Sequence, residues 1–232
     1  MSNRPNPRTR RPAPARPGTG DAPAPRSSRV PLLIGLGVVL VIAVVIAIVA
    51  SAGDDTNGKD AAGLSQTQPA TITGTALVQL PGSGTDPAVG KAAPQVDGLA
   101  FDGTPVTIKN DGKPKLVAFV AHWCPHCQRE VPVITKWLAD NGMPSDVALY
   151  AVATATSSDN PNYPPSAWLA REKWPITTMA DTSDDSVAAA FGLSAYPYFV
   201  AIDAKGNVAA RTTGELTTTQ LQQLLSIAAG KT

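Results

Sequence analysis

Trp123-Cys124-Pro125-His126-Cys127 holds the only two cysteines of a 232-residue chain. An uncharged apolar run, 116–121, leads straight into it, and a helical pattern follows from Cys124 to about Ala139, closed by Asn141-Gly142. Cys124 is therefore expected at a helix N-terminus, where unpaired backbone N–H groups and the positive dipole end favour a thiolate. Cys127 lies three residues on, nearly one turn later, so the two sulfurs can close a disulfide. No other cysteine competes for either of them. His126, between the two, adds donors that favour the thiolate further, and Trp123 is read as packing that shields the pair.

Outward from this stretch the pattern is mixed α/β. Val106-Thr107-Ile108 and 116–121 read as strands, the second of the continuous apolar kind that is buried on both faces. Residues 147–153 form another buried strand, 166–173 a helix, 176–179 a short strand, and 186–191 a helix closed by Gly192. Strands at 198–202 and 208–212 are joined by Asp203-Ala204-Lys205-Gly206-Asn207, a good hairpin turn. A final amphipathic helix over 217–228 sets Leu221, Leu224, Leu225 and Ala228 on one face. Residues 71–80 carry a weak alternation that offers one more short strand.

All twelve aromatic residues fall between Phe101 and Phe199. A core needs large apolar side chains, so one globular domain is placed at 90–232. Before it, residues 1–30 carry seven arginines against one acid, Asp21, among many prolines, which reads as a disordered basic arm. Such arms bind nucleic acid or anionic lipid. The stretch after the arm decides for the membrane and against nucleic acid. Residues 31–50 are an uncharged apolar run, and twenty helical residues cover about 30 Å, the thickness of a bilayer's hydrocarbon core. Arginines precede this run and Asp54, Asp55 and Asp60 come after it, so the N-terminus is expected in the cytoplasm and the domain outside. Ala50-Ser51-Ala52 resembles a signal-peptidase site, and a cleaved signal is the alternative. The run exceeds the roughly 7–15 apolar residues of a signal peptide, which favours an uncleaved anchor. Residues 51–89, rich in Gly, Ala, Ser, Thr, Pro and Asp, read as a flexible tether. Outside the cell membrane disulfides persist, which suits the cysteine pair.

Several separated signals now agree. Ala93-Pro94 leads to Asp102-Gly103-Thr104-Pro105-Val106, then 116–120 runs into Trp-Cys-x-x-Cys, followed by Glu130 and Pro132. Far downstream stand Phe191-Gly192-Leu193-Ser194-Ala195-Tyr196-Pro197 and then 199–203 with Lys205-Gly206. From about Gly90 to Gly230 the chain resembles the thioredoxin-fold proteins, specifically the membrane-anchored TlpA/ResA-like thiol:disulfide oxidoreductases. The resemblance implies a central mixed β-sheet flanked by helices, preceded here by one transmembrane helix. It implies a cis bond before Pro197, facing the cysteines, with Tyr196 placed to pair its main chain with a substrate peptide. Thioredoxins carry a buried acid on the strand before the motif, whereas Ala118 stands there here; the resemblance implies that Glu130 takes over proton handling. Read from the residue alone, Glu130 is equally a solvated helix charge. Pro132 is expected to kink its helix. The dipeptide Pro125-His126 is similar instead to that of the strong oxidant DsbA.

Cys124 is thus read as the attacking thiolate and Cys127 as the resolving thiol, with no cofactor beyond their own disulfide. Metal binding is the chemical rival, since Cys124, Cys127, His122 and His126 are all potential ligands. All four fall within six residues, and a strand-to-helix turn disfavours bending them into a tetrahedron, so no metal site is expected. Haem attachment fails because Gln128 stands where histidine is required. The reading is a membrane-tethered, extracytoplasmic oxidoreductase that exchanges disulfides with cysteines of exported proteins and is recycled by a membrane redox partner. His126 leans it toward oxidation. The alternatives are a reductase of the TlpA/ResA type, serving cytochrome c maturation, and a redox-inert or metal-handling binding module on the same fold.

Overall fold

Lys115–Val120 (β4) is buried along its whole length because both faces of its sheet are covered. Alternate side chains go to opposite faces of a strand. Val117 and Phe119 enter one core layer with Val96, Ile108, Met179 and Tyr198, while Leu116 and Ala118 enter another with Ile134, Leu138, Leu221 and Leu224. The computed structural model describes residues 62–231, and the elements below lie within them.

β4 is the middle of a five-stranded sheet. Ala148–Ala153 (β5) runs parallel to it and Thr177–Ala180 (β6) parallel to β5. On the other side Tyr198–Ile202 (β7) is antiparallel to β4, and Val208–Thr213 (β8) antiparallel to β7. Two helices, Pro125–Asn141 (α1) and Thr218–Ala228 (α4), supply the apolar residues of one layer. Thr217 caps α4 by accepting from the Gln220 N–H, while the Gln220 side chain accepts from the Thr217 N–H, which fixes where that helix starts. The short helices Pro165–Arg171 (α2) and Ser186–Ala190 (α3) follow β5 and β6. The mixed sheet with flanking helices is the thioredoxin-like α/β fold expected from the sequence.

The other layer contains a second sheet that the sequence reading largely missed. Thr71–Thr73 (β1), Gln95–Leu99 (β2) and Pro105–Ile108 (β3) pair antiparallel in the order β1-β2-β3. β2 was not expected, because Asp97 and Gly98 interrupt its pattern. Val96 and Gly98 nevertheless face inward, and a Cβ at Gly98 would lie 2.7 Å from the Met179 sulfur of β6.

The segment expected to be a free tether is, over its described part, laid onto the domain. Ser65 N–H donates to Phe101 O, Leu77 N–H to Ala190 O and Leu80 N–H to Gly192 O, and Leu77 is buried. Arg211, buried on β8, donates to both carboxylate oxygens of Asp86, at 2.8 and 2.5 Å, and to Val78 O at 2.9 Å. Gly192 is required beneath this latch, at φ +73, because a Cβ there would come within 2.3 Å of Val78 O. Backbone groups and apolar side chains over 65–88 thus find partners far along the chain. The arm at 1–30, the transmembrane span at 31–50 and the first part of the tether lie outside the described residues. Among the described residues no helix is long and apolar enough to cross a membrane.

Candidate active site

Cys124 occupies the N-cap of α1, in extended conformation, with Pro125 pre-set at the first helical position. Its C=O accepts the first intrahelical bond, from Gln128 N–H at 3.0 Å, and its own N–H donates to Ala121 O at 3.1 Å. The side chain is 5% exposed. Its Sγ lies 3.9 Å from Tyr196 O, the carbonyl just before a cis Tyr196–Pro197 bond. The cis-proline loop and the first cysteine therefore face each other, as the resemblance implies.

Cys127 is fully buried one turn behind, and burial holds its thiol well above the ordinary thiol range. Glu130, three residues further on, is also buried and not a solvated charge. Its Oε2 accepts from Leu216 N–H at 2.9 Å, while Oε1 has no partner among the described residues. Burial raises its carboxyl to about 7; the Leu216 bond opposes that rise and the nearby Glu215 charge adds to it. A carboxyl poised near neutrality beside a buried resolving thiol is equipped to take and return its proton. α1 continues through Pro132 to Asn141.

Trp123 closes one side of the pair. Its ring meets Tyr196 edge-on with centroids 5.8 Å apart, and its indole N–H donates to Ala155 O at 2.8 Å. Ala155 has φ +51, a conformation that costs a non-glycine residue on the order of 1 kcal/mol. It is held there from both sides: Trp123 takes its carbonyl, and Asp185 Oδ1 accepts its N–H at 2.7 Å. Trp168 is core and Trp174 half-buried.

His122 lies beneath this arrangement with both ring nitrogens committed. Nδ1 is 2.7 Å from Pro161 O, and Nε2 accepts from Ser157 N–H at 3.3 Å, so the proton sits on Nδ1. Burial pushes its titration below the usual histidine range. His122 thus pins the proline-rich loop 157–163, with Tyr163 edge-on against the ring. Both its ring nitrogens are thus engaged in holding that loop.

The outer face of α1 holds what sequence reasoning missed. His126 turns Nδ1 to Glu215 Oε1, at 2.6 Å. Arg129 donates to the same oxygen from Nη2 at 2.6 Å and from Nε at 3.0 Å. Arg129 first, then His126, hold the Glu215 carboxyl down to about 2. Glu215 belongs to the β8–α4 loop, 89 residues from His126, in no recognisable motif. Only the folded chain brings it to the cysteine pair.

With two cysteines at a helix start, one facing the cis-proline loop and one buried beside a poised carboxyl, the chain is built for thiol–disulfide exchange. Solved structures with a similar backbone include a candidate thiol:disulfide interchange protein DsbE from Chlorobium tepidum. It is 20% identical, with 60% of this chain and 96% of that one covered at a TM-score of 0.50. A candidate protein disulfide isomerase from Bacteroides thetaiotaomicron is 22% identical, covering 66% and 92% at a TM-score of 0.50. A candidate thioredoxin from Neisseria meningitidis is 28% identical, covering 59% and 88% at 0.49. No curated protein matches the chain. The family model for Redoxin matches residues 88–226, more than half of the sequence. The chain is accordingly a thiol:disulfide oxidoreductase of thioredoxin-like fold and belongs to the Redoxin family.

Proposed function

We propose that this redoxin is a membrane-tethered, extracytoplasmic oxidase of the TlpA/ResA-like group that donates its disulfide to cysteines of exported proteins. The observation that carries the exchange chemistry is Cys124 at the helix N-cap with its sulfur 3.9 Å from Tyr196 O. What supports the oxidising direction is His126 inside the pair, since stabilising the reduced form makes the disulfide the stronger oxidant. What supports the membrane is the apolar run 31–50, with arginines before it and acids after.

A substrate thiolate attacks Cys124 Sγ in the Cys124–Cys127 disulfide. A substrate–Cys124 bond forms and the Cys127 sulfur leaves as thiolate. Glu130, protonated below about 7, is the proton source for that buried sulfur, directly or through water. The substrate's second thiolate then attacks its own sulfur in the mixed disulfide and expels Cys124 as thiolate. Two electrons have passed from substrate to enzyme, which a membrane redox partner must remove before the next turnover. Tyr196 contributes main-chain pairing to the extended substrate, and its ring against Trp123 walls the approach.

The reverse direction, reduction of exported disulfides ahead of haem attachment, is the second reading. Glu130 serves it equally, since a carboxyl near neutrality takes the Cys127 proton as readily as it supplies one. Equilibration of the full chain with glutathione separates the two. A potential nearer to about −120 mV, that of DsbA, than to about −270 mV, that of thioredoxin, is expected, and one near or below about −270 mV overturns the oxidase reading.

A further inference from the structure

The dipeptide between the cysteines argues for a strong oxidant, yet the structure does not leave its histidine free. His126 and Arg129 are one turn apart on the exposed side of α1, and both point into a single carboxylate oxygen of Glu215. Arg129 lies near enough to Cys124 for their charges to interact. Glu215 itself is not a loose surface acid. On one side of it Gly214 N–H donates to Pro197 O at 2.9 Å, in the loop that faces Cys124. On the other side Leu216 N–H is held by Glu130. The backbone at 214–216 is therefore stitched to the cis-proline loop and to the helix, and it presents its carboxylate at the rim of the cysteine pair.

We propose that Glu215 is a positioning residue that sets the reduction potential of the Cys124–Cys127 couple, by holding the His126 ring and the Arg129 guanidinium, themselves 2.9 Å apart at Nδ1 and Nη2, on its carboxylate and turning the guanidinium charge and the imidazole away from the Cys124 thiolate. A cation beside a thiolate stabilises it, and stabilising the reduced form raises the potential. Glu215 offsets the guanidinium charge and holds the imidazole at once. It makes the pair a weaker oxidant than its Pro125-His126 dipeptide alone dictates, which explains how that dipeptide coexists with a TlpA/ResA-like frame. The inference rests on Cys124 being the exchanging sulfur.

The test uses the full chain in glutathione buffers, where the Cys124–Cys127 disulfide plus two glutathione thiols gives the dithiol plus glutathione disulfide. Glu215→Gln is expected to move this equilibrium about tenfold toward the dithiol, a rise of about 30 mV. Glu215→Asp, which keeps the charge, is expected to recover at least half of that shift on a logarithmic scale. In a His126→Ala/Arg129→Gln background, adding Glu215→Gln is expected to change the constant by less than about twofold, because the groups it holds are gone. A Glu215→Gln constant within twofold of wild type overturns the proposal. So does a shift that persists in full in the doubly substituted background, since Glu215 would then act through the 214–216 backbone or on the sulfur alone. The function reading fails differently: its failure is a wild-type potential near thioredoxin's, or no exchange with glutathione at all. The first leaves the increment due to Glu215 measurable, and the second removes the couple on which the inference rests and overturns both.

Discussion

Cys127 with Glu130 and His126 with Arg129 are two pairs of the same spacing on the same first turns of α1, offset by one residue. One residue is about 100° of helix rotation, and here it separates two regimes of charge. The inner pair is nearly free of solvent, so desolvation decides, and both groups hold their protons beyond the usual range. The outer pair stays more than half exposed, with side chains at 58% and 56%, so pairing to Glu215 decides and water screens what remains. The inner face is arranged to move a proton and the outer face to tune a field, and the cysteine pair sits across the boundary.

The largest break in this comparison is removal of the inner thiol. Cys127→Ala is expected to abolish turnover while the Cys124 thiolate still attacks disulfides of substrate proteins, expelling one substrate sulfur as thiolate, so the full chain accumulates Cys124 mixed disulfides. Non-reducing electrophoresis and mass spectrometry check it, and absence of any captured thiol protein favours a redox-inert module. Glu130→Gln comes next. Loss of a proton-transfer group is expected to slow formation of the mixed disulfide, the step that expels Cys127, by about a hundredfold near neutral pH.

The same variant has a signed effect on stability. Glu130 titrates near 7 folded and near 4.5 unfolded, so wild-type stability is fully present below about 4.5 and falls as pH rises through about 7. Glu130→Gln removes that loss. It is expected to be more stable than wild type at pH 8 by about 2 kcal/mol, allowing for solvent screening, with the advantage vanishing at pH 4. Denaturant titrations at the two pH values read the difference.

The smallest effect belongs to the outer face. The Glu215 carboxyl is held below its ordinary value, so what it adds to stability is present above about 4.5 and fades as pH falls toward 2. Because the group is exposed, Glu215→Gln is expected to leave the melting temperature within about 2 °C of wild type. Its effect on the redox equilibrium is expected to shrink in half-molar salt, where the screening length falls to a few ångströms. A melting temperature that drops much further would erase the distinction between the two faces.

What was legible in the sequence is what local pattern and burial on two faces dictate. The apolar run of β4, the helix opening at Cys124, the β7–β8 hairpin and the apolar stripe of α4 all announce themselves within a dozen residues. The pair itself was equally plain. What stayed hidden depends on partners distant in the chain. β2 looks unlike a strand because Gly98 makes room for Met179, eighty-one positions away. Residues 65–80 look like linker because their backbone hydrogen-bond partners lie at 101, 181 and 190–192. Glu215 looks like any exposed acid until the β8–α4 loop is folded against α1. His126 was placed in the right motif, but the carboxylate that meets its ring lies 89 residues away, where no local pattern reveals it.

The latch of Arg211 on Val78 and Asp86 bears on how far the cysteines can search. Had the domain begun at Gly90, up to about 140 Å of extended chain would separate it from the end of the apolar run at Ala50. With Ser65 already bonded to Phe101, only fourteen residues intervene, and the contour length falls to about 50 Å. The latch thus takes residues 65–89 out of the free chain and makes them part of the body that carries the cysteines.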